Sequence, residues 1–166
     1  MEEQNKKIVI KDIKGIEKFL NNDYISNELK NKLKKSDIII LPIEKFREFK
    51  DPLFPNGTEK IYLFLKDNLS KEYNLEIAID EQDYKELGLH HNLIFLGIFM
   101  CKEILLPFLL SMLANYTYYK LPLRSKEEKV KLTIIVSDRL KKIDFEGPAK
   151  DLKNISKEIK DISKNE

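Results

Sequence analysis

The sequence predicts a single α+β domain, with a mixed α/β arrangement as its variant, on three observations. The runs Leu75 to Asp80 and Val130 to Val136 carry apolar residues at every second position, the period of a strand with one covered face. Other segments repeat apolar residues at helical spacing. With 166 residues, 42% of them hydrophobic, and 30 Lys plus Arg set against 28 Asp plus Glu, the chain suits one continuous core and not global disorder.

Taken in order, Ile8, Val9 and Ile10 form a short β-prone run and predict the first strand. Ile13, Ile16, Phe19 and Leu20 follow at helical spacing, and a second helix carries Tyr24, Ile25, Leu29 and Leu33, with Asp23 as the expected N-cap. Ile38 to Leu41 is wholly apolar and closed by Pro42, as a strand buried on both faces would be. Residues 44 to 57 have no periodicity, and Phe46, Phe49 and Phe54 are expected to pin that loop to the core. Asn56 and Glu59 stand at capping-box spacing before a helix expected from about Thr58 to Tyr73, with a strand at Ile61 to Leu65 as the competing reading. Leu75, Ile77 and Ile79 predict the next strand. Near the C-terminus, Val130 to Val136 and Ile143 with Phe145 predict an antiparallel hairpin around a turn at Ser137 to Arg139. Gly147-Pro148 then opens a last helix carrying Leu152, Ile155, Ile159 and Ile162. The domain is expected to span 1–162, with about five strands, and 163–166 to fray as a polar tail.

Residues 92–119 depart from this pattern. They are apolar around the whole helical wheel and predict a long central helix, kinked at Pro107, that neighbouring polypeptide must surround. The alternative is lipid, since Leu93 to Ala114 is long enough to span a bilayer. Lys102 and Glu103 oppose that alternative, because at mid-span they cost about 5 to 7 kcal/mol, as much as about a dozen Leu, Ile and Phe residues return. A bend at Pro107 would let both charges reach water.

Chemistry is sparsely marked. Glu86 and His90 have helical spacing, yet Gly88 interrupts it and no second His or Cys cluster exists, so no metal is assigned. Cys101 lies in the apolar segment and is expected to be an inert small hydrophobe, while Ser111 lacks a glycine elbow. The five glycines form no phosphate-binding pattern, so neither a cofactor nor a catalytic residue is assigned. A net charge of +2 with only Arg47, Arg124 and Arg139 as arginines disfavours a nucleic-acid partner. The lone cysteine and a start without an apolar leader point to a cytosolic location, and the Lys, Ile and Asn usage to an AT-rich bacterial genome.

The expected function is therefore a non-enzymatic interaction or assembly subunit of a bacterial cytoplasmic complex, with a protein partner or a homo-oligomer. Its expected interaction residues are Phe46, Phe49 and Phe54 in the loop and Leu96, Phe99, Phe108 and Tyr116 in the apolar segment. Two alternatives stand beside it: an effector inserting 92–119 into a membrane, speculatively in antiviral defence, and an enzyme of unrecognised type whose acidic or histidine side chains would converge on the Glu44 to Gly57 loop.

Overall fold

Parity along the strands decides which side chains meet a helix and which meet water. The computed structural model describes residues 6–88, 93–120, 128–155 and 157–158. Eight strands are present: β1 (Lys7–Asp12), β2 (Ile38–Leu41), β3 (Phe54–Pro55), β4 (Leu75–Ile77), β5 (Glu86–Leu87), β6 (Ile94–Cys101), β7 (Lys129–Val136) and β8 (Lys141–Pro148). The helices are α1 (Glu17–Leu20), α2 (Asn27–Lys34), α3 (Thr58–Asn68) and α4 (Leu106–Tyr119). Six strands form one mixed sheet in the order β1-β8-β7-β6-β2-β4, and β3 with β5 forms a small parallel pair. This is the expected single α+β domain.

Two crossovers build the sheet. β2 and β4 are parallel and joined through α3, and β6 and β7 are parallel and joined through α4. Such connections lay a helix across the sheet. On the covered side α3, α4 and a 3-10 helix over Ala149–Asn154 bury Ile38, Ile40, Leu96, Phe99, Val130, Leu132, Ile134, Ile143 and Phe145. On the other side Ile25, Leu29 and Leu33 from the α2 region, joined by Ile16, Phe19 and Leu20 around α1, cover Ile39, Leu41, Ala78, Met100 and Ile135, with Ile98 half-buried at the margin. Among the described residues no helix lies on the rest of that second face.

The expected long helix over 92–119 is a strand, a break and a shorter helix. β6 looked helical because its outward residues Phe95, Ile98 and Met100 are as apolar as its inward ones, so its apolar residues run without alternation. Pro107 kinks nothing: it occupies the first turn of α4, where its missing N–H has no intrahelical acceptor to lose. Lys102 and Glu103 sit in the break, as the charge argument requires, with Lys102 exposed. The Glu103 N–H donates to Asp138 Oδ1 at 2.9 Å, and its carboxylate pairs with Arg139. No helix among the described residues is long and apolar enough to cross a membrane.

Other expectations need correction. The N-cap of α2 is Ser26, whose hydroxyl accepts from the Leu29 N–H at 3.2 Å, because Asn22 to Ile25 close a turn before the helix starts. The region of Ile13 to Leu20 gives only one helical turn, α1. No capping box forms at Asn56 and Glu59; Gly57, at φ 93°, precedes α3, and the Glu59 N–H donates instead to Glu86 at 3.0 Å. α3 ends at Asn68, short of Tyr73. The strand count is eight against about five, the additions including the two-residue strands β3 and β5 and all of β6, whose signals are too short or too uniform to read. Pro148 closes β8, and the final segment begins as a 3-10 helix. Ile159, Ile162 and the tail at 163–166 lie outside the described residues.

Two substitutions separate these roles. Leu109→Ala, at a fully buried position of α4, is expected to cost about 2 to 5 kcal/mol in urea unfolding. Pro107→Ala should change stability by less than about 1 kcal/mol, whereas a mid-helix kink would give a larger gain.

Candidate interaction surface

The uncovered half-face is built in rungs set by strand register. Lys7 on β1 lies opposite Glu146 on β8, Glu146 opposite Lys131 on β7, and Lys131 opposite Phe95 on β6. The next rung on that face runs Val9, Asp144, Thr133, Ile98. The third begins with Lys11 and Lys142 and then passes under the α2 cover at Ile135 and Met100. Helix cover stops where the outward residues change from Ile and Met to Lys and Asp.

The bulge in β6 shapes the floor. Register shifts between Phe95 and Gly97, so Leu96 falls as an extra residue between the pairs Phe95–Lys131 and Gly97–Leu132. Gly97 has φ 135°, a region that L side chains rarely adopt. Phe95 and Ile98 thereby share the open face although they are three residues apart.

The segment after β2 walls this floor. An antiparallel bridge between Ile43 and Leu53 closes its base, with Ile43 N–H to Leu53 carbonyl at 2.7 Å. Lys45 and Arg47 both have φ 52°, left-handed for residues with a Cβ, and Phe46 lies between them. Asn22 and the Tyr24 hydroxyl hold Glu44 at 2.8 and 2.7 Å, tying the segment to the start of the α2 region. Burial, joined by the bond to Glu44, raises the Tyr24 hydroxyl pKa above its ordinary value and keeps it a donor.

The result is a groove of about 910 Å³. Lys7, Lys11, Arg47, Lys129, Lys131 and Lys142 line it against two carboxylates, Asp144 and Glu146, for a formal balance of +4. Thr133 Oγ1 donates to Asp144 Oδ1 at 2.6 Å, and Lys142 Nζ stands 3.9 Å from Asp144 Oδ2. Lys131 lies 5.5 Å from the Phe95 ring centroid and Arg47 5.1 Å from that of Phe46, contacts worth about 0.5 to 1 kcal/mol each when exposed. Cationic heads thus ring a half-buried apolar floor of Val9, Phe95 and Ile98.

Comparison with protein families, with curated proteins and with solved structures yields no match to this chain. The surface is therefore read on its own chemistry.

Of the seven residues singled out for interaction, Phe54, Leu96, Phe99 and Tyr116 are core residues, removed from any partner by their burial. Phe54 stacks on Tyr84 at 5.0 Å and Tyr116 meets Phe64 at 5.4 Å. Phe46 lines the groove; Phe49, at 49% exposure, and Phe108, at 39%, are accessible elsewhere on the surface. Of the three phenylalanines expected to pin the loop, only Phe54 is fully buried. His90 and His91 lie outside the described residues. Among the described residues no three His, Cys, Asp or Glu side chains are grouped to hold a metal. Cys101 is buried, and burial, helped by Asp138, pushes its thiol up to about 12. The loop from Glu44 to Gly57 brings Ile43's neighbours Phe46 and Arg47 to the groove, and no carboxylate or imidazole of its own among the lining residues.

Glu86 holds α3 in place from the opposite end of the sheet. Its carboxylate accepts from the Gly57 and Glu59 N–H groups at 3.3 and 3.0 Å and from the Tyr84 hydroxyl at 2.7 Å. Burial alone would raise this carboxyl, but those donors together with the Lys60 charge hold it below the usual carboxylate range. A depressed folded value contributes stability above the unfolded pKa of about 4.3 that is lost as pH falls through the folded one. Glu86→Gln is expected to cost about 1 kcal/mol in urea unfolding at neutral pH, the gap from wild type closing in acid.

At the groove itself, Lys45→Gly relieves a left-handed non-glycine residue and is expected to raise stability by about 0.5 to 1 kcal/mol, read as an upward shift in Tm.

Proposed function

We propose that this chain is a non-enzymatic interaction or assembly subunit, and that the open half-face over β1, β8, β7 and β6 is where it takes an acidic protein surface. The observation that carries the reading is the pairing, on one concave surface, of an apolar floor with six cationic side chains and two carboxylates. Desolvating the floor supplies affinity, and the surrounding charge steers approach and selects partners of opposite sign.

The two carboxylates favour protein over nucleic acid. Asp144 and Glu146 stand on β8 within the groove, where a phosphate backbone would meet repulsion, and among the described residues Arg47 is the only guanidinium on the lining. A protein surface of mixed sign and net negative charge can match both. The membrane reading loses its support, since the segment on which it rested is divided between β6 and α4. A bacterial cytoplasmic setting accords with the buried lone thiol at Cys101.

The test is a photoreactive phenylalanine analogue placed at Val9 in the expressing cell. A discrete, salt-sensitive protein adduct is expected there, falling at least about tenfold when Lys131→Glu and Lys142→Glu are added, with no adduct from the same probe at exposed Tyr73. No adduct at Val9, or one removed by nuclease, overturns the reading.

A further inference from the structure

The chain carries the opposite charge at its other edge. A second cleft, of about 580 Å³, lies along edge strand β4 between α2 and α3. Five carboxylates line it, Glu28 from α2, Glu59 from α3, Glu76 from β4, and Asp80 and Glu81 beyond it, against the single cation Lys32. Its formal balance is −4, equal and opposite to that of the groove.

Resting on the reading above, we infer that the acidic surface received by the open half-face is the β4 edge of a second copy of this chain. Three features make this edge a match for the groove. The charges are opposite and of the same size. The 3-10 turn Glu81–Asp83 on the rim of the cleft is exposed, a small acidic projection for a concave basic receptor. Leu63 of α3, also on that rim, is 50% exposed and offers an apolar group to the floor of Val9, Phe95 and Ile98.

One molecule cannot satisfy both surfaces itself. β4 is four strand positions from β8, about 19 Å at about 4.8 Å per strand, and on the far side of the α2 cover. That separation exceeds the screening length of about 10 Å at about 0.1 M salt, so the two charged ends act as distinct poles. Because different surfaces meet, the contact is head to tail, and repetition gives a ring or an open chain of subunits. β4 is only three residues long, so it offers few backbone groups for uncontrolled edge pairing.

Sedimentation velocity of the full chain, with two charge-reversed variants, tests the inference. Wild type is expected to self-associate at about 20 mM salt and to dissociate at about 500 mM. One variant carries Lys7→Glu, Lys131→Glu and Lys142→Glu; the other carries Glu59→Lys, Glu76→Lys and Glu81→Lys. Each alone should sediment as a monomer, and an equimolar mixture should associate, because the intact acidic edge of the first variant then meets the intact basic half-face of the second. Circular dichroism and Tm verify that each variant folds, and the salt series on wild type stands independently of them. A wild type that stays monomeric at low salt overturns the inference, as do variants that associate alone or a folded pair that stays apart. A monomeric wild type that still gives a Val9 adduct with a different protein overturns the self-partner while leaving the interaction reading intact. Tight binding of an oligothymidine of about 20 nucleotides to a monomeric wild type, lost in the lysine-reversed variant, overturns both.

Discussion

The seating of α4 on the Val130, Leu132, Ile134 and Val136 row of β7 is the contact on which the other features depend. Those four positions and the buried Leu109, Leu110 and Leu113 of the helix occupy one core, so β7 has one fixed inner parity. Everything on the opposite parity follows. Lys129, Lys131 and Thr133 must face the second side of the sheet, and register carries the same assignment to Asp144 and Glu146 on β8 and to Lys7 and Val9 on β1. A helix on that second side would have to desolvate these charges. α2 stops where the outward residues of β7 cease to be apolar, beyond Ile135.

The fold class was legible wherever one face of a strand is wet. Leu75 to Ile77 and the β7–β8 hairpin announce themselves by alternation, and Ile38 to Leu41 by its short length and the proline after it. β6 was not, because apolar residues on both faces remove the alternation, and the apolar helix after it extends the same texture to Tyr119. Gly97 inside the run and Pro107 at the start of the next element are the residues that mark a strand, a break and a helix start. Pro107 fits equally a kink or a first turn, and only the contacts of β6 with β2 and β7 decide between them.

The candidate surface was legible only in fragments. Large apolar side chains include Phe46 but equally Phe54, Leu96, Phe99 and Tyr116, for which a covered core is the ordinary place. The stronger signal was the unused parity of β7, where Lys, Lys and Thr give way to Ile within one strand. Such a switch marks the border between a bare and a covered stretch of sheet. Assembly of the groove from β1, β6 and the Ile43 to Arg47 segment depends on pairings distant in sequence, from Phe95 with Lys131 to Lys7 with Glu146, which no local pattern encodes.

The bulge in β6 has a bearing on how the surface could change. If β6 paired regularly with the same residues and kept Ile98 opposite Thr133, Leu96 would take the position opposite Lys131 and Phe95 would turn inward against α4. The aromatic floor is thus a product of chain counting, and it depends on a residue that has no side chain and takes part in no recognition. Drift at position 97 would exchange a ring for an aliphatic group on the working face while Phe95 and Leu96 themselves stay unchanged in the sequence.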